Sequence, residues 1–351
     1  MSEPRPGPET SAGLDTIWMM RCPVPAASGV AFARGYMADA FAPDGIAVRR
    51  IIEGGLNLVE HDPARQQRHL FSEGSNIRAL AARSQGAPTQ VIGLTWIDER
   101  QAIIVRPDSG IMQPGDLKGL RCALPGFAAT KAESIARGMA LRGIENALSL
   151  GGLNLADVEL VEIPTGPRRV PSVKGMRRFW RGLEWLAAGK VDAVYVKGAA
   201  AADAAEQLGL VVGVDLDAYP SRLARINNGT PRPIVVHEHM LDNHLDLVER
   251  FLEQTLRAAD WAATHLADLK PILAQETWSS IAGVDAAYRN GFHRALHPGL
   301  PPDRVGMLQT QAEFLWLAGF LDSPVDVAAW IDPRPLAAAT ERLACLRRES
   351  A

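Results

Sequence analysis

Cys22 sits where a thiol can do chemistry. Thr16–Met20 reads as a short apolar strand, Arg21-Cys22-Pro-Val-Pro25 follows it, and a helical run begins near Ala26. In an open α/β sheet the loop leaving the first strand lies at the carboxyl edge, where ligands bind. Two prolines deny this loop a regular hydrogen-bonded ladder and hold its shape, while Arg21 and the helix start both favour thiolate over thiol. The competing reading is a buried core cysteine. Gly74-Ser75-Asn76 offers a second centre. Ser75 or Asn76 can cap a helix over Ile77–Ser84, and the free amides of its first turn would point at an anion; an ordinary helix cap is the plainer alternative. His237-Glu-His239 and His244 carry metal-ligand side chains, but a strand-to-helix junction accounts for them and no other ligand cluster accompanies them, so no metal is expected. Cys122 alternates with apolar neighbours and reads as core, and Cys345 falls on a terminal helix. Trp180 and Trp185, like His61 and His69, suit packing, although an aromatic ligand would want such apolar walls. Asn227-Asn-Gly-Thr230 is a turn signal first and a cleft contact second.

Positioning these residues falls to short β-type runs that alternate with helical ones. Strands are expected over Ile46–Ile51, Gln90–Leu94, Ala102–Arg106, Arg121–Leu124, Val158–Ile163, Asp192–Val196, Val211–Val214 and Pro233–His237. Helical spacing covers Ala128–Leu150 and Arg177–Ala188, and the alternation indicates α/β architecture. From Met240 onward the chain reads as almost wholly helical, over Leu241–His265, Leu269–Gln275, Val284–Arg294, Pro302–Leu321 and a last helix after Pro335. The turn-rich stretch Pro107–Leu120 suits a crossing into a second lobe, and Gly229-Thr-Pro-Arg-Pro233 suits the return. Two crossings make two lobes with a cleft between them. The expected division is a disordered leader over 1–13, lobe 1 over 14–112, lobe 2 over 113–231, and a return to lobe 1 with C-terminal helices over 232–351.

Composition narrows the classes. The 351 residues are 47% hydrophobic and 22% charged, enough for a substantial core, and the net charge of −3 makes no case for a nucleic-acid partner. Basic residues cluster only locally, at Arg168-Arg169 and from Lys174 to Arg181. Three cysteines with no Cys-x-x-Cys suggest neither a disulfide framework nor a thiolate zinc site. The first residues lack a basic segment followed by an apolar stretch, and no window is apolar enough to span a membrane, so a cytoplasmic location is expected. The sequence is compatible with a monomer and leaves the oligomeric state open.

Gly115-Asp-Leu-Lys-Gly-Leu-Arg121, following Val105-Arg-Pro-Asp-Ser-Gly110, resembles the start of the second lobe in type II periplasmic-binding-protein folds of the sulfonate, taurine and nitrate kind. Gly189-Lys-Val-Asp-Ala-Val-Tyr195 resembles a strand near the cleft of the same folds. A closer resemblance is to the 2'-hydroxybiphenyl-2-sulfinate desulfinase family. It is carried by Cys22-Pro-Val-Pro25, Asp157-Val-Glu-Leu-Val161, the Gly189–Tyr195 run, Gln311-Ala-Glu-Phe-Leu315 and Asp326-Val-Ala-Ala-Trp330. The resemblance implies a cytoplasmic enzyme without metal or organic cofactor. It further implies an essential cysteine, a histidine, an arginine and a backbone amide near a glycine pair. Cys22 matches the cysteine directly. The histidine falls at Val59-Glu60-His61 after one extra residue, which makes His61 the candidate. The arginine slot holds Ser72, leaving Arg65, Arg68 or Arg78 as substitutes, with Arg68 taken as the catalytic candidate and Gly74, Ser75 and Asn76 as substrate-binding.

Breaking an aromatic carbon–sulfur bond to release sulfite requires a proton at the ring carbon and water or a nucleophile at sulfur. Cys22 as thiolate can attack sulfur and form a covalent intermediate that water resolves; as thiol it can protonate the carbon. His61 would set the protonation of Cys22 or activate the water. A guanidinium meets the anionic oxygens in bidentate fashion. The expected function is thus a cofactor-independent aryl-sulfinate desulfinase. One alternative is a non-catalytic solute-binding protein for sulfonate or taurine-type anions, against which the missing export leader counts. Another is a different anion-directed reaction such as decarboxylation.

Overall fold

Parallel and antiparallel strands, from half-buried β-runs to the fully buried run Gln101–Val105, build the sheets of this protein. The computed structural model describes residues 14–21, 24–51, 68–131, 133–164, 179–289 and 291–349. Its first stretch holds β1 (Thr16–Arg21), α1 (Ala27–Ala33), α2 (Tyr36–Phe41), β2 (Ala47–Arg50), β3 (Leu70–Glu73), α3 (Asn76–Ser84) and β4 (Thr89–Thr95). The middle holds β5 (Gln101–Val105), β6 (Arg121–Pro125), α4 (Ile135–Leu150), β7 (Glu159–Ile163), α5 (Gly182–Ala187), β8 (Val194–Lys197), α6 (Ala199–Gln207), β9 (Val211–Asp215) and β10 (Arg232–His237). A helical end follows: α7 (Glu238–Asn243), α8 (Leu245–Thr264), α9 (Leu266–Thr277), α10 (Ile281–Ala287), α11 (Pro302–Leu317) and α12 (Arg334–Glu349). No helix among the described residues is long and apolar enough to cross a membrane.

The first sheet runs β2-β1-β3-β10-β4, with β1 parallel to β2 and β3, and β10 antiparallel to β3 and β4. This topology determines which residues meet. The carboxyl ends of β1 and β3 lie at the same edge as the amino end of β10, which brings Arg21, Glu73 and Arg232 together. The opposite edge receives the residues that precede β3 and those that end β10, including His69 and His237. A second sheet, β8-β5-β9, is antiparallel, and a parallel pair, β6-β7, joins it through a bridge between Cys122 and Ala193. Each region has its own apolar core, one around Ile17, Phe41, Phe71 and Phe251 and another around Ile103, Leu183, Tyr195 and Trp330. In the second, α4 approaches β8 so closely that a Cβ on Gly143 would lie 2.2 Å from the Tyr195 ring.

Several expected boundaries move. The helix expected over Ala128–Leu150 starts at Ile135, because Ser134 Oγ donates to Thr130 O at 2.8 Å and accepts from Ala128 N–H at 3.1 Å, closing turns instead. The single helix expected over Leu241–His265 is two, broken at His244 with φ −140° and ψ 40°. The helix expected to run to Arg294 ends at Ala287, and Phe292–Ala295 forms a 3-10 turn. Strand β3 was not expected from the sequence.

Candidate functional site

Arg21 ends β1 and pairs in register with Glu73 at the end of β3, immediately ahead of the Cys22 loop. Cys22, His61 and Arg65 lie outside the described residues, so the site is built from what surrounds the loop. Glu73 is buried, takes a hydrogen bond from Ser28 Oγ on α1, and feels the charges of Arg232 and Arg21. Burial outweighs these partners and pushes its carboxyl above the usual carboxylate range. Arg21 forms an ion pair with Glu276 on α9, which Arg50 also approaches at 3.5 Å. Gly29 makes this possible: a Cβ there would collide with the Arg21 guanidinium.

Arg232 is the residue that sequence reading missed. It is 1% exposed, on a strand whose neighbours are apolar, and its Nη1 donates to the carbonyl of Pro25, the last residue of the Cys22-Pro-Val-Pro motif. Its Nε and Nη2 have no hydrogen-bond partner among the described residues. Gly229 leaves room beside that edge, since an added Cβ would lie 3.6 Å from Arg232 Nη2 and 4.0 Å from Lys197 Nζ. Lys197, also buried, donates to Asn228 O at 2.6 Å and Thr230 Oγ1 at 3.1 Å and pairs with Glu99 at 3.2 Å. Burial is the main cause that lowers its ammonium pKa, and Glu99 partly restores it. Two cations therefore converge on the turn that links the second sheet to β10. The signal in the sequence was a lone arginine beside the apolar run Ile234–Val236, which demands an anionic or carbonyl partner if that strand is buried.

The helix N-terminus at Gly74-Ser75-Asn76 is real and already engaged. Ser75 is the cap, its Oγ accepting from Arg78 N–H at 3.2 Å. Ser75 Oγ also donates to Asn228 Oδ1 at 2.7 Å, and that same oxygen lies 3.4 Å from Ile77 N. An amide oxygen from the crossing turn thus occupies the place where an anion's oxygen was expected. The Gly74 amide donates to Pro233 O at 3.3 Å, and Asn76 Nδ2 donates to Asn227 O and Pro231 O at 2.8 and 2.9 Å.

Of the described arginine candidates, Arg68 is exposed in the turn ahead of β3, where its charge acts on His237. At about 3.3 Å per strand residue, it stands on the order of 15 Å from the end of β3. Arg78, in the first turn of α3, is half-buried with Nη1 3.6 Å from Met20 Sδ near the end of β1. Arg78 and Arg232 therefore lie at the edge where β1 and β3 end, and Arg68 lies at the other. Cys122 is buried in β6, and desolvation pushes its thiol up to about 12, which makes it inert. Cys345 is exposed on α12.

Comparison with known proteins agrees with this architecture. Residues 27–165 match the family model described as NMT1/THI5 like. The chain is 27% identical to 2'-hydroxybiphenyl-2-sulfinate desulfinase from Rhodococcus erythropolis over 93% of this chain and 94% of that one. Among solved structures, the desulfurization enzyme DszB superposes with a TM-score of 0.74 at 24% identity, covering 93% of this chain and 99% of its own. A serine variant of DszB in complex with biphenyl-2-sulfinic acid gives 0.71 with the same coverage. The periplasmic aliphatic sulphonate binding protein SsuA from Escherichia coli gives 0.63 at 14% identity, covering 91% and 92%. The chain is thus similar in sequence to a desulfinase and has the fold that DszB shares with periplasmic sulphonate-binding proteins.

Proposed function

We propose that this protein is a cofactor-independent desulfinase that hydrolyses the carbon–sulfur bond of an aryl sulfinate and releases sulfite, with Cys22 as the reactive group. The observation that carries the reading is the hydrogen bond from buried Arg232 to the carbonyl of Pro25, three residues after Cys22 in sequence, in a chain similar over 93% of its length to a named desulfinase. The sulfinate oxygens bind the unpartnered Nε and Nη2 edge of Arg232, with Lys197 and Arg78 adding positive charge. A guanidinium edge suits two coplanar-spaced oxygens, and its burial keeps water from competing for them. The overall change consumes one water: the ring carbon gains a proton, and the sulfinate group leaves with the hydroxyl as bisulfite. Cys22 either attacks sulfur as thiolate, giving an intermediate that water resolves, or delivers the proton to carbon as thiol. His61 serves the proton transfer in both schemes, and a reducing cytoplasm keeps the thiol available.

Incubation with 2'-hydroxybiphenyl-2-sulfinate should release sulfite and lose that activity in Cys22→Ser, while Arg232→Met should raise KM at least about tenfold, as loss of a charge-assisted bidentate contact predicts. Failure of this and other aryl sulfinates to yield sulfite, or equal activity in Cys22→Ser, overturns the reading. Because SsuA shares the fold, a non-catalytic sulfonate binder is the second reading. Saturable binding of alkanesulfonates without turnover of any sulfinate would establish it instead.

A further inference from the structure

Three imidazoles from two stretches of chain converge at the sheet edge remote from Glu73 and Arg232. His69 immediately precedes β3, and its carbonyl accepts from Trp18 N–H at 3.0 Å, which pins its backbone beside β1. His239 lies in the first turn of α7, its N–H donating to His237 Nδ1 at 3.0 Å. His244 occupies the break between α7 and α8 and is 3% exposed. In an unbroken helix, five steps of about 100° would turn positions 239 and 244 about 140° apart around the axis. The break turns His244 back, so that its ring centroid is 5.6 Å from that of His239. His69 stands 5.8 Å from the first ring and 5.9 Å from the second. One ring nitrogen from each residue lies within 4.8 Å of the other two.

We propose that His69, His239 and His244 form a binding site for one divalent transition-metal ion, with zinc the best fit. Three neutral imidazoles and a fourth position open to water make a common tetrahedral zinc arrangement, and imidazole selects against magnesium and calcium. With Zn–N near 2.0–2.1 Å the nitrogens of such a site stand about 3.3 Å apart. From a separation of 4.8 Å each closes by less than about 1 Å, which small side-chain rotations supply. His237 is not a ligand through Nδ1, because that nitrogen already accepts the His239 amide. The sequence groups His237, His239 and His244 without leading to a metal, and the sheet brings His69 to the last two in place of His237. Bound there, the ion ties the foot of β3 to the α7–α8 joint and so steadies the strand whose other end carries Glu73.

The test uses untagged full-length protein stripped with a chelator, titrated calorimetrically with zinc alone and spectroscopically with cobalt. One ion per chain should bind, and the cobalt form should show the intense visible absorption of a tetrahedral centre. His69→Ala and His239→Ala should each weaken zinc at least about tenfold with unchanged secondary structure, whereas His265→Ala, altering an exposed histidine stacked on Trp261, should leave it unchanged. Zinc should raise the melting temperature of wild type and not that of His69→Ala. No saturable binding at micromolar zinc, or affinities indifferent to both substitutions, overturns the site. None of these readouts depends on sulfite release.

Discussion

Burying Arg232 takes a guanidinium out of water at a cost that opposite charge and hydrogen bonds must offset. Glu73 supplies the charge and the Pro25 carbonyl one hydrogen bond, and the remaining edge is what an anionic ligand completes. Glu73 stands in the converse position, raised by burial and lowered by Ser28 and then by Arg232. Mutual dependence of this kind predicts strong non-additivity. Arg232→Met should destabilise the protein by about 3–5 kcal/mol near neutral pH, because it removes the stronger of the two cations that face the buried acid Glu73. Adding Glu73→Gln should recover most of that loss. The penalty of the single variant should also shrink on acidification, since an acid whose native pKa is raised further takes up its proton more readily in the folded state. Urea denaturation of the four proteins measures both effects. Additive free energies would mean that the two side chains do not stabilise each other.

Elements differ in how plainly the sequence announces them. Ile103-Ile104 in β5 and Ile234–Val236 in β10 are β-branched runs bounded by breakers, and they form strands within a residue or two of expectation. Leu-Phe-Ser-Glu in β3 has no such pattern; its extended form comes from pairing with β1 on one side and β10 on the other. The Ser75 cap was legible because a serine stood just before an apolar helical period. Arg232 was not, since Thr-Pro-Arg-Pro reads as a turn, and only the register of Arg232 with Thr95 makes it strand. The 3-10 turn Leu216–Ala218 after β9 shows the same dependence on tertiary surroundings. It places Asp217 3.7 Å from Arg225 and 3.4 Å from Arg289, yet burial wins over both cations and raises the carboxyl to about 6 from 3.8. A raised acid stabilises the fold fully below its unfolded pKa and loses that contribution as pH climbs through its folded one. Asp217→Asn should therefore be more stable than wild type near pH 8, by up to about 3 kcal/mol at 1.36 kcal/mol per pKa unit, with the difference gone below about pH 4. Thermal melts across that range decide it, and a less stable Asn variant near pH 8 would mean that the two ion pairs outweigh burial.

At the scale of the molecule, the stretch from Ile226 to Pro231, between β9 and β10, ties elements of the two sheets together. Asn227 Nδ2 donates to Met139 O on α4 at 3.0 Å and to the Tyr195 hydroxyl on β8 at 2.9 Å, and that hydroxyl donates to Gln101 Oε1 on β5 at 2.6 Å. From the other side Asn76 on α3 reaches Asn227 O and Pro231 O, and Asn146 on α4 reaches Ile226 O at 2.9 Å. Every member is buried, so each lost bond leaves a polar group that water cannot readily rescue. The same stretch carries Gly229, which leaves the space beside Arg232, and Asn228, which sits over the α3 N-terminus. Cohesion of the sheets and shape of the candidate site thus depend on the same backbone. Asn76→Ala removes the α3 side of this tie without touching the α4 side. It should cost about 2–4 kcal/mol, the sum of two buried hydrogen bonds and the desolvation of the Pro231 carbonyl left behind. The loss should be localised: amide exchange should quicken over residues 225–230 and the first turn of α3 while β5 and β8 keep their protection. Uniform acceleration across both sheets, or a stability change below about 0.5 kcal/mol, would show that the crossing is held by packing and not by this tie.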